Sequence, residues 1–404
     1  MKNITVFILG SNENVCYDCG LILPAAGGIK MAVITKENFG KLSDGREVEL
    51  YTLRNTKGTE AKITTYGARL TSLKIHTKNG YVDVVLGYDN AAAYEKDDTS
   101  MGGVVGRHAN RIGEGKVTID GKEYQLELNT GSRKQNHLHG GFKGFHMQLW
   151  TAEETYEGLK LTYHSKDGEG GFPGNLTITT LYSLSNDNEL SITYEATADK
   201  DTVCNITNHS YFNLDGFASG SVLDQKVQIF ADEYTWADEE SLPDGRIMPV
   251  EGTPMDLRKL TRIGDHIDDD FDQLKFGKGY DHNWVLRGDA PNVEVKAGMF
   301  GYDPHCPIDY VKGGLHKAAY AEGAKSGVTL ACYTTLPGMQ FYTGNFLRGG
   351  LKGKDGVEFN RRDGFCFETQ YFPNAFKNPN FPQPILKKGD TYKAQTVYVL
   401  GVKD

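Results

Sequence analysis

Four short segments set histidines and carboxylates among small and aromatic residues instead of in charged loops. Residues 136–141 read Asn-His-Leu-His-Gly-Gly, where paired glycines allow a close backbone or ligand approach to His139. The His137-x-His139 pair also suggests a metal site, and Gly131 stands where a cupin signature would place it, but Lys143 and Gly144 occupy the positions of the glutamate that signature needs. Residues 205–214 form a strand-like run rich in hydrogen-bonding side chains, which would put Thr207, His209 and Tyr211 on one face. A lone histidine there reads as readily as a satisfied structural residue. Residues 280–285 place Asp281 at a strand entrance after Gly277 and Gly279, where it could serve a ligand or cap a turn. Residues 364–371 carry Glu368 inside an aromatic strand, sharing a face with Cys366 and Gln370. A buried carboxylate is costly without a partner or a task.

The elements that must hold these side chains read as β-structure. Residues 116–128 alternate apolar and polar positions about Asp120-Gly121, which predicts an antiparallel hairpin with a type I′ turn. Residues 176–184, 190–196, 326–333 and 391–402 show strand character, while helical periodicity is confined to 90–97 and 257–274. Runs of antiparallel strands with few short helices imply an all-β fold, a large antiparallel β-sandwich. The 48 glycines and 13 prolines fit many turns between short strands.

Lys+Arg 44 against Asp+Glu 53 leaves a net charge of −9, which excludes a broad basic surface for nucleic acid or anionic lipid. No stretch approaches the roughly 18 apolar residues of a membrane span. Regular patterning begins at Met31, so residues 1–30 are expected to be a poorly ordered extension and 31–404 one continuous domain. Cys16, Cys19, Cys204, Cys306, Cys332 and Cys366 are spread through a chain long enough to build a core unaided, and are expected to be free thiols in a reducing, cytoplasmic compartment.

Taken together, the ordered segments resemble the aldose 1-epimerase family. The resemblance rests on Gly106-Arg107 through Asn110-Arg111-Ile112, on Leu138-His139-Gly140-Gly141, on residues 207–214, on Tyr280-Asp281-His282-Asn283, on residues 338–345, and on Phe367-Glu368-Thr369-Gln370. It runs from about Phe39 to the C-terminus. It implies one large antiparallel β-sandwich with an open sugar cleft. It also implies that Glu368 is the general base and His209 the general acid, and that Asn110, Arg111, His139, Asp281 and Gln340 hold the hydroxyls of a small-molecule aldose. Residues 287–325, which include His305, Cys306 and His316, are longer than the family pattern.

The chemistry explains the pairing. Anomer exchange removes a proton from the C1 hydroxyl while supplying one to the ring oxygen, so one base and one acid must flank the same bond. A carboxylate near pKa 4.3 is ionised at neutral pH and a histidine near about 6.5 can carry a proton. No cofactor or metal is expected, no nucleic acid or membrane partner, and either a monomer or a homodimer. Two other readings remain: a β-sandwich glycoside hydrolase with Asp281 and Glu368 as its carboxylate pair, and a non-catalytic sugar binder with Trp236, Trp284 and the histidines as a platform.

Overall fold

Alternation of side chains across pleated strands builds this molecule. In Leu176–Leu184 every even-numbered residue is buried and every odd-numbered one half-buried, the signature of a strand with one face on a core. The computed structural model describes residues 32–287 and 314–403. The N-terminal extension, the Cys16/Cys19 pair, His305 and Cys306 lie outside the described residues. Of the long segment after Arg287, the described portion contributes the strand His316–Glu322.

The long strands are antiparallel and fall into three main sheets. A nine-stranded sheet carries Leu176–Leu184, Glu189–Ala198, Thr391–Val402 and Val328–Thr334 at its centre. A five-stranded meander runs in chain order from Val33–Lys41 to Gly80–Asp83. A second five-stranded sheet orders Pro243–Pro249, Ala231–Ala237, Asp281–Leu286, Gly338–Tyr342 and Cys366–Gln370. All three feed one hydrophobic cluster, in which Ile63 and Leu73 of the meander meet Ile178, Tyr194 and Tyr398 of the large sheet and Trp284, Phe341 and Phe367 of the other. Each fully buried side chain of this size contributes about 1.5–3 kcal/mol of transfer free energy. This is the large antiparallel β-sandwich that the sequence predicts.

The second five-stranded sheet positions the chemistry. Its cross-strand rows align Asp281 with Tyr342 and Tyr342 with Cys366, and Asn283 with Gln340 and Gln340 with Glu368. Residues in register project to the same face, so one face is polar. The intervening row puts Phe341 opposite Phe367, with ring centroids 5.7 Å apart, on the core side. Burying that aromatic face forces the carboxyls and amides of the same strands toward the loops that cover the sheet.

Local expectations fare unevenly. The hairpin forms as Lys116–Ile119 and Lys122–Gln125, with Asp120 at φ 50° and Gly121 at φ 78° as a type I′ turn demands. The helix Ala91–Glu95 is capped by the Asn90 side chain, which accepts from the Ala93 amide. The helical pattern over 257–274 is realised only as the turn Ile263–Asp265 and the helix Asp272–Gly277. There the amides of Ile263 and Gly264 donate to the carbonyls of Gln225 and Leu223, so tertiary pairing takes the groups a helix would need. The strand expected over 205–214 shrinks to Thr207–Asn208, because Asn208 Oδ1 accepts from both the amide and the hydroxyl of Ser210 and ends the ladder.

Candidate active site

A cleft of about 460 Å³ opens over the polar face of that sheet, with Glu368, His209, His139, Asp281, Asn110 and Arg111 in its lining. Chain segments far apart in sequence meet here. Glu368 and Asp281 rise from adjacent parts of the sheet, His209 follows the short Thr207–Asn208 pairing with Val104–Val105, and His139 follows the His137–Leu138 pairing with Arg111–Ile112. Of the residues expected at the site, Gln340 alone is absent from the cleft wall. It sits behind Asp281, donating from Nε2 to Asp281 Oδ1 at 2.7 Å, and receives Gln370 Nε2 on its own carbonyl oxygen at 3.3 Å. Gln340 therefore orients the acid.

At the centre, His209 Nε2 stands 3.6 Å from Glu368 Oε2. Both are nearly buried, at 5% and 2% exposure, and Glu368 Oε2 has no hydrogen-bond partner. An unsatisfied buried carboxyl oxygen costs stability and marks a place where a ligand would complete the bonding. Burial drives Glu368 well above the usual carboxylate range; nearby Asp281 adds to this and Arg111 opposes it. His209 is pushed down to about 4, again chiefly by burial. Asp281 is raised by burial and held back by Arg111 and the Gln340 hydrogen bond. The isolated reference values are thus inverted: burial favours a neutral pair, with the proton on Glu368 and none shared with His209 as charge.

The wall opposite the sheet is built under backbone strain. Asn110 and His139 adopt left-handed conformations, φ 65° and φ 52°, which non-glycine residues occupy at a cost of about 1 kcal/mol or more each. They hold one another: the His139 amide donates to Asn110 O at 3.2 Å and the Asn110 amide to His139 Nδ1 at 3.1 Å. Asn110 Oδ1 then accepts from the Arg111 amide at 2.9 Å. The following Gly140 has φ 86°, and a Cβ there would lie 1.8 Å from Gly106 O, so the glycine serves backbone packing.

His139, His209 and Glu368 present ligand atoms within 4.8 Å of one another, a spacing a metal ion could span. The hydrogen bonding argues against that use. With Nδ1 accepting the Asn110 amide, the neutral His139 ring carries its proton on Nε2 and offers a donor toward the cleft. The other half of the His-x-His motif turns away, since His137 Nδ1 lies 2.8 Å from Glu127 O and its ring packs against Phe172.

Sequence reasoning passed over several cleft residues. His146 and Asp97 line the wall beneath the histidines. Asp97 pairs with buried Arg69 at 3.3 Å and accepts from the amides of Thr99 and Met101, fixing the loop that bears Ser100. Tyr342 and Phe346 stack at the mouth with centroids 6.3 Å apart, and Arg348 pairs with Asp98 across it. The aromatic residue following Gly140-Gly141, Phe142, is half exposed at the same rim; no spacing rule would have gathered residues from such scattered loops. Trp284, by contrast, is fully buried in the core and cannot be a sugar platform, while Trp236 lies outside the cleft beneath Arg246.

An antiparallel sandwich with a paired imidazole and carboxyl in a polar cleft defines a class of acid–base site built for small polar ligands. A family model described as Aldose 1-epimerase matches residues 49–399, and the chain belongs to the aldose 1-epimerase family. Galactose mutarotase from Rattus norvegicus is 40% identical over 92% of this chain and 100% of its own, and its Homo sapiens counterpart is 39% identical over the same shares. The aldose 1-epimerase of Escherichia coli is 36% identical over 88% of this chain and 96% of its own. Among solved structures, galactose 1-epimerase from Lactobacillus acidophilus aligns with TM-score 0.75 and 29% identity, covering 92% of this chain and all of that one.

Proposed function

We infer that this protein is a mutarotase, an isomerase that interconverts the α and β anomers of free aldohexoses such as glucose and galactose. The single observation that carries the assignment of roles is the 3.6 Å approach of His209 Nε2 to Glu368 Oε2 over a cleft lined by hydrogen-bonding side chains. Glu368 as carboxylate takes the C1 hydroxyl proton while protonated His209 gives one to the ring oxygen. The ring C–O bond breaks, its electron pair stays on the ring oxygen, and the C1 oxygen becomes a carbonyl. Rotation about C1–C2 presents the other carbonyl face, and both protons return. Asn110, Arg111, His139 and Asp281 would hold the hydroxyls, with Gln340 behind Asp281.

The inverted ionisation is compatible with these roles. A neutral acid beside a neutral imidazole and a carboxylate beside an imidazolium contain the same number of protons. Sugar hydroxyls donating to Glu368, together with Arg111, would favour the charged form when substrate binds. The hydrolase reading has no support from the relatives, which are epimerases. The buried free thiols Cys204, Cys332 and Cys366 are consistent with a reducing, cytoplasmic location. Polarimetry of fresh α-galactose and α-glucose tests the activity: the protein should bring the rotation to equilibrium faster than buffer. Rates no faster than buffer with both sugars at micromolar enzyme would overturn the reading.

A further inference from the structure

The two imidazoles of the cleft differ in what faces their inner nitrogen. His139 Nδ1 receives the Asn110 amide at 3.1 Å. That backbone hydrogen cannot be removed or turned away, so a second proton on Nδ1 would set N–H against N–H. A ring that gives up its Nε2 proton must keep the other on Nδ1, and His139 has no room for one. His209 Nδ1 instead lies 3.6 Å from Cys366 Sγ, whose sulfur has lone pairs and can accept weakly, and the residue's own backbone also accepts from the ring; neither blocks a proton on Nδ1. We propose that Cys366 is a positioning residue that accepts the Nδ1–H of His209, holding the ring in the tautomer whose Nε2 can release and recover a proton toward the sugar, while His139 serves as a permanently neutral donor.

Three features of the structure support this. Cys366 and Glu368 share a face of the strand Cys366–Gln370, so one element carries both the carboxyl and the support behind the imidazole. The ring is clamped on its sides by Tyr211, Tyr342 and His139, at centroid distances of 5.0, 6.2 and 5.3 Å, which leaves Nδ1 aimed at the thiol. Burial and the neighbouring carboxyls of Glu368 and Asp281 keep the thiol protonated, so it neither attacks substrate nor enters the proton exchange. During ring opening His209 passes from imidazolium to the neutral Nδ1–H form, and the sulfur accepts the same hydrogen in both.

This inference rests on His209 being the proton-transfer group, and its test separates the two. Ring ¹⁵N spectra of the intact protein should show His209 as the Nδ1–H tautomer and His139 as the Nε2–H tautomer. Cys366→Ala should shift His209 toward the Nε2–H form and lower kcat about fivefold, the size expected for one weak hydrogen bond to a charged ring, with KM within about twofold. Cys366→Ser, whose hydroxyl can accept in place of sulfur, should restore both. An Nε2–H tautomer at His209 in the parent overturns the proposal even where Cys366→Ala fails to fold, and so does a Cys366→Ala protein with unchanged spectra and kcat. Failure of the parent to accelerate mutarotation would instead sink the functional reading and leave the tautomer result standing.

Discussion

Replacing Glu368 with glutamine keeps the shape of the side chain and removes its capacity to take a proton. Among the described residues Glu368 is the carboxyl that approaches His209, at 3.6 Å, while Asp281 is engaged by Gln340 at 2.7 Å and Asp97 by Arg69 at 3.3 Å. The full value of a general base, about 10²–10⁴-fold or roughly 3–5 kcal/mol of barrier, should therefore be lost from kcat. Stability should move the other way. Burial raises the folded pKa of Glu368, so above about pH 4.5 the unfolded chain gives up its proton more readily than the folded chain, and folding is disfavoured there. Glutamine removes that term, so the melting temperature of Glu368→Gln should rise while turnover collapses. Polarimetric progress curves with α-galactose, corrected for spontaneous mutarotation, give kcat; calorimetry gives the melting temperature. A variant keeping more than a tenth of parental kcat would refute the assignment of the base, and one melting below the parent would refute the account of its burial.

His139→Ala should raise KM more than it lowers kcat, since His139 is held as a hydrogen-bond donor; an unchanged KM with reduced kcat in the same polarimetric assay would contradict this. Glu189, buried in its hairpin and raised to about 8, is protonated when folded at neutral pH and ionised when unfolded. Its penalty begins near pH 4.5 and grows until about pH 8, so Glu189→Gln should be more stable than the parent at pH 7 and equally stable at pH 4, read from urea midpoints. His282 has the opposite dependence: lowered to about 4 by burial, it favours folding fully above pH 6.5 and loses that contribution as the pH falls toward 4. The stability of His282→Asn relative to the parent should accordingly improve by about 1.4 kcal/mol per pH unit across that window, and a flat difference would count against it. Arg69→Ala leaves Asp97 charged and buried without its cation, and should cost about 3–5 kcal/mol by chemical denaturation together with loss of sugar affinity, because Asp97 pins a wall of the cleft.

Much of this protein could be read from local pattern. Strand character located the strands at 176–184 and 391–402 at their observed bounds; the first alternates because one face rests on the core, while the second is buried on both faces from Ala394 to Tyr398. The Asp120-Gly121 turn was legible because few residues tolerate two successive positive φ angles. The face shared by Cys366, Glu368 and Gln370 followed from the pleat alone. Where side chains or distant backbone compete for the same hydrogen bonds, as at Asn208 and at Ile263, pattern misled: the strand and helix it implied were cut short.

Sequence by itself therefore determined which residue types sit on which strand, and, through ordered motifs, singled out Glu368, His209, His139 and Asp281, which line one cleft. Tertiary structure decided how they work together. Only folding brings residues 157 positions apart in the chain to Cys366 Sγ and His209 Nδ1, or sets Gln340 behind Asp281 and not in the cleft. Only burial inverts the ionisation of Glu368 and His209, since desolvation depends on everything packed around a group and on nothing in its immediate sequence. Which nitrogen of each imidazole holds a proton likewise depends on the neighbour that faces it, an amide for His139 and a thiol for His209, and those neighbours come from other segments of the chain.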